Sequence, residues 1–141
     1  MISKNDIGKK VWVLNGNIRD GFTLNSKKEW TIKDVNYPGV VVERNGKEFF
    51  TNAYAIVFPL IDNDIMAYLE ANDVDNVLNV EKICIGGIRV NIEWGDWKHT
   101  HLWCDELMSY IGYKFMNEIE TETNGSDCYS ADRYYEIEHI K

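Results

Sequence analysis

The stretch IEWGDWKHTHLWCDEL, Ile92 to Leu107, holds the side chains best suited to chemistry: Asp96, His99, His101 and Asp105, beside Cys104 and among Trp94, Trp97 and Trp103. Two imidazoles and two carboxylates are a donor set for zinc with three protein ligands and a water, and hence for a metal-assisted hydrolase. Helical spacing argues against it. Residues two apart on a helix do not share a face, so His99 and His101 cannot both bind one ion from a helix, whereas His101 and Asp105, four apart, share one. The stretch therefore reads as an apolar joint between strand and helix. The three tryptophans belong to its core, and His101 and Asp105 pair on the helix surface. No catalytic residue, metal ligand or cofactor is assigned.

A second cluster, Ser126, Asp127 and Cys128, lies in NGSDCYS. A nucleophilic thiol needs a base and a lowered pKa. The neighbours here are acids, which raise it, and Asn-Gly-Ser-Asp is ordinary turn chemistry. The chain has no P-loop, Rossmann fingerprint, Gly-x-Ser-x-Gly or His-Glu-x-x-His, and Gly86-Gly87 is too short to cradle phosphate. Cys84, Cys104 and Cys128 form neither a disulfide framework nor a zinc knuckle. They read as reduced thiols of a cytoplasmic protein, with Cys84 in a strand core. MISKNDIGKK has no apolar core of a leader, and no apolar run approaches a membrane span.

The elements that must position these residues fall into two modules of opposite charge. Of 141 residues, 1–60 carry nine Lys/Arg against six Asp/Glu, and 61–141 carry six against seventeen. The first module reads as all-β: strands at 11–14, 29–35, 40–44, 47–50 and 55–58, with a slip near the end of 29–35. Tyr37-Pro38-Gly39 and Asn45-Gly46 are turns, the latter suited to type I′. TNAY forms one helical turn before the last strand. This pattern over residues 8–60 resembles the small barrels of Tudor and KOW modules, which implies a five-stranded barrel. No aromatic cage or unbroken basic stripe is evident, and Trp12 and Trp30 read as core residues.

The second module, 61–141, mixes α and β. Asp62 or Asn63 caps a helix running to Ala71 whose Ile65, Tyr68 and Leu69 share a face. Strands at 79–85 and 88–94 form a hairpin, with Ile88, Val90, Ile92 and Trp94 pointing one way. A helix at 100–111 is ended by Gly112. A hairpin of 113–123 and 128–140 follows, turning at Asn124-Gly125. The order β-β-α-β-β implies one antiparallel sheet crossed by a helix, an α+β class overall.

Period-two counting along the last hairpin puts Glu118, Glu120 and Glu122 on one side of its first strand. Asp132, Tyr134, Glu136 and Glu138 share one side of its second. Phe115, Ile119, Tyr129, Ala131, Tyr135 and Ile137 take the opposite side. Six carboxylates on one face either keep an edge soluble or imitate nucleic-acid phosphate toward a basic groove. In size, acidity and lack of catalytic motifs the chain resembles small acidic anti-CRISPR and anti-restriction proteins. That resemblance implies a phage or mobile-element inhibitor that binds a nucleic-acid-processing protein complex. The acidic module itself would bind neither nucleic acid nor membrane. The alternatives are the hydrolase above, or an adaptor that binds a peptide through the barrel.

Overall fold

The computed structural model describes residues 2–15, 23–24, 28–123 and 127–138. The chain divides into two compact units, Met1–Pro59 and Leu60–Lys141.

The first unit is an open sheet, not a closed barrel. Its strands are β1 (Lys10–Asn15), β2 (Thr23–Leu24), β3 (Trp30–Asn36), β4 (Gly39–Arg44), β5 (Lys47–Asn52) and β6 (Ile56–Val57). The order is β2-β1-β3-β4-β5, and β6 also pairs β1. Closure fails at β5. The partner of β1 that would seal a barrel is β6, through Trp12↔Val57 and Val13↔Ile56. Among the described residues β5 pairs only β4, and Phe49 and Phe50 on it stay exposed. The slip read near the end of 29–35 is a bulge: Ile32 faces Val42 but Asp34 faces Val41, so β3 holds one extra residue. The bulge puts both Ile32 and Val35 inside. Asn45 and Gly46 take φ of 53° and 76°, the left-handed pair that a type I′ turn needs. The core is Ile2, Val11, Ile32, Val35, Val40, Val42 and Ile56, with Trp30 packed against it.

The second unit is a four-stranded antiparallel sheet in the order β7-β8-β10-β9. Its strands are β7 (Val77–Cys84), β8 (Gly87–Asp96), β9 (Tyr113–Thr123) and β10 (Cys128–Ile137). Helix α1 (Ile65–Ala71) is capped by Asp64, whose Oδ1 accepts the Ala67 N–H at 3.0 Å. Asp62 and Asn63, the expected caps, instead take left-handed φ of 56° and 55°. Ile65, Tyr68 and Leu69 are buried, as an i, i+3, i+4 stripe requires. A π-helical turn, Trp97–Leu102, leads into α2 (Trp103–Tyr110). The helical segment thus starts three residues before the expected Thr100. Gly112, at φ 93°, ends it. The Tyr68 hydroxyl donates to the Leu107 carbonyl at 2.7 Å and ties α1 to α2. Ile88, Val90, Ile92, Ala131 and Tyr135 face α2 and are buried. Cys84, expected in a core, is exposed. The Asn124-Gly125 turn and Ser126 lie outside the described residues. Among the described residues no helix is long and apolar enough to cross a membrane.

Candidate functional site

The β8–β10 pairing brings the two chemically suggestive stretches together. Cys128 faces Asp96 and Tyr129 faces Gly95, yet Ala131 faces Ile92. β8 therefore spends two residues, Glu93 and Trp94, opposite Ser130 alone, which is a bulge. Trp94 sits at φ 52°, a conformation that costs a bulky residue about 1–3 kcal/mol. Its N–H donates to Ser130 Oγ at 2.9 Å, and its carbonyl accepts from Asn76 Nδ2 at 3.2 Å. The bulge breaks the alternation that buries Ile88, Val90 and Ile92. Trp94 is 41% exposed instead of joining them.

Gly95 follows because nothing larger fits. A Cβ there would lie 2.6 Å from Ile92 Cγ2 and 2.8 Å from Thr100 Cγ2. Asp96 then caps the π turn, its Oδ1 accepting from the N–H groups of His99 (2.9 Å) and Lys98 (2.8 Å). These two bonds hold its carboxyl below the ordinary carboxylate range. The Trp97 N–H donates to the Asp127 carbonyl at 3.2 Å, and the Trp97 side chain is 49% exposed.

His101 is fully buried. Its ring stacks on Tyr129 at 4.1 Å between centroids and 7° between planes. Nε2 lies 3.3 Å from the Tyr129 carbonyl, while Nδ1 has no hydrogen-bond partner among the described residues. Desolvation lowers its pKa, with the nearby Arg133 charge acting in the same direction.

Beneath α2 lies an ionic group that sequence reasoning missed. Arg133, 4% exposed, forks onto Asp105, with Nε to Oδ1 at 3.0 Å and Nη2 to Oδ2 at 2.5 Å. Nη1 donates to Glu118 Oε2. The Tyr135 hydroxyl donates to Asp105 Oδ1 at 2.5 Å, and the Tyr129 hydroxyl to Glu118 Oε2 at 3.0 Å. The Phe115 ring lies against the guanidinium, 4.4 Å from its carbon. The signal was available: an arginine occupies the apolar parity between Ala131 and Tyr135, where only a partnered charge can stay. Cys104 packs beside this group, and burial pushes its thiol up to about 12, which removes it as a nucleophile.

The proposed hydrolytic quartet does not converge. Asp96 caps a turn, His99 is exposed, His101 is stacked on Tyr129, and Asp105 is held by Arg133 and Tyr135 rather than by His101. Among the described residues no three His, Cys, Asp or Glu side chains are grouped as ligands. Of the three tryptophans expected in the core, only Trp103 lies in the joint, half-buried with its indole N–H on the Asn72 carbonyl at 2.7 Å.

The acidic face is corrected as well. Two bulges in β9 shift its register: Tyr135 faces Phe115 but Tyr134 faces Asn117, and Ala131 faces Glu120 but Ser130 faces Glu122. Residues directly opposite share a face. Glu118 (opposite Arg133) and Glu120 (opposite Ala131) therefore lie on the α2 side, while Ile119 lies opposite Asp132 on the other. That other side carries Glu122, Asp132, Tyr134 and Glu136, together with Arg89 and Lys114. Asp132 accepts from Asn91 Nδ2 at 2.8 Å, and Arg89 pairs Glu81. Glu138 lies beyond β10, its N–H on the Gly112 carbonyl at 2.8 Å. The face is mixed in charge, not a row of six carboxylates. Comparison of the chain with family models, curated proteins and solved structures found no match.

Proposed function

We propose that the chain is a non-enzymatic binding protein of the cytoplasm that docks its anionic second unit on a basic groove of a protein partner. The groove belongs to a nucleic-acid-processing complex, so that docking inhibits it in the manner of an anti-defence protein. One observation carries this reading. In the second unit thirteen of seventeen carboxylates are exposed, against three exposed lysines, Lys82, Lys98 and Lys114, among the described residues. These carboxylates run from Asp62 to Glu138 and so spread the charge over the unit rather than along one face. Such a body steers toward basic surfaces and repels nucleic acid and anionic membrane.

The test is capture from a bacterial lysate on the immobilised full chain, with elution by salt or by added duplex DNA. The expected result is a nucleic-acid-binding protein that either reagent displaces, because screening and polyanion competition both remove charge-driven contacts. Capture of proteins that neither displaces overturns the reading.

A further inference from the structure

The corner from Trp94 to Trp97 leaves two indoles exposed where β8 turns into the helical segment. A tryptophan that follows three buried strand positions ordinarily joins them, yet the bulge turns Trp94 out to 41% exposure, and Trp97 is 49% exposed. Their Cα atoms are at most about 11 Å apart along the chain. The backbone strain at Trp94 persists although a glycine there would relieve it. Four carboxylates sit on the residues that build this corner. Glu93 and Asp96 flank Trp94, Asp127 accepts from the Trp97 N–H, and Glu122 faces Ser130, which accepts from the Trp94 N–H. Lys98 is the one opposing lysine among them.

Indole faces attract cations, and carboxylates beside them exclude a phosphate backbone. Of the two protein cations, guanidinium fits better. It is planar, stacks on a ring, forks onto a carboxylate, and sheds water more readily than an ammonium. We infer that the Trp94–Trp97 corner is the docking surface of the second unit and takes arginine side chains of a basic protein partner. This inference rests on the anionic-docking reading above and names the contact within it.

The probes are an oligo-arginine and an oligo-lysine peptide of equal length, titrated into the full chain and into Trp94→Gly and Trp97→Ala. The readout is the indole N–H signals in NMR, with affinity from calorimetry and folding checked by a cooperative melt. Glycine accepts the left-handed backbone and Trp97 is half-exposed, so both variants should fold. The expected result is shifts confined to the Trp94 and Trp97 indoles, an arginine preference of about tenfold, and a loss of similar size in each variant. Equal binding of both peptides, unchanged in the variants, overturns the corner while leaving a basic partner in place. Binding of neither peptide overturns both readings.

Discussion

The two units stabilise themselves by different means. The core of the first is aliphatic: Ile2, Val11, Ile32, Val35, Val40, Val42 and Ile56 pack with no charged group among them. Every buried polar or charged residue among those described, namely Asn72, Thr100, His101, Ser130 and Arg133, belongs to the second unit. An aliphatic core is held by burial and shape, which ignore pH and tolerate volume-conserving exchange. A core built round Arg133 depends on charges that must all be partnered, so it is sensitive to single deletions and to protons.

The largest way to break this contrast is Arg133→Ala. It leaves Asp105 and Glu118, each with a side chain 20% exposed, without their cation. We expect a loss of about 3–5 kcal/mol, as for removal of one member of a buried ion group. Urea melts would measure it, and hydrogen exchange would speed at β8 and β10 while Val11 and Val40 keep their protection.

Ile32→Ala is the counterpart in the first unit. Ile32 is 1% exposed, and truncation should cost about 2–4 kcal/mol. The distinguishing outcome is that this loss stays the same from about pH 8 down to pH 5, where a histidine would titrate. A loss that changes across that window would erase the contrast.

The second unit should instead weaken in mild acid. The folded value of His101 is lowered, so the unfolded chain takes up the proton first. Its contribution is full above the unfolded value of 6.5 and declines as pH falls from there toward the folded value. The slope for one proton cannot exceed about 1.4 kcal/mol per pH unit. Melts of wild type and His101→Gln over that range would show it, because the variant should lack the slope.

The smallest effect sharpens the register of β9. Glu122 is exposed, and Glu122→Lys should change stability by less than about 0.5 kcal/mol. A cost near that of Arg133→Ala would mean that Glu122 also serves a buried charge.

The same contrast explains what was legible in the sequence. In the first unit the alternation of Val40 and Val42, the Asn45-Gly46 turn and even the slip in β3 could be read from residue types. The barrel could not, because closure depends on which strand takes the free edge of β1, a question of three-dimensional reach. In the second unit the strands were found, and parity correctly separated Asp132 and Tyr134 from Ala131 and Tyr135. Counting by two then failed in β9 and at Trp94, since a bulge adds a residue without altering composition and reverses every face beyond it. Strict alternation therefore reads Glu118 as a solvent charge and Trp94 as a core residue, and the bulges reverse both. His101 and Arg133 show the limit of burial rules: polar types are placed outside unless a partner is known, and the partners come from other strands and from α2.

Gly95 carries a consequence for mutational surveys. In a saturation library scored for any function of this chain, position 95 should reject alanine as firmly as it rejects tryptophan, because the first added carbon already collides with Ile92 and Thr100. Between two tryptophans and beside an aspartate, such an all-or-none profile would imitate that of a catalytic residue. A readout of abundance alone would expose the imitation, since alanine there should deplete the folded protein before any binding or reaction is asked of it.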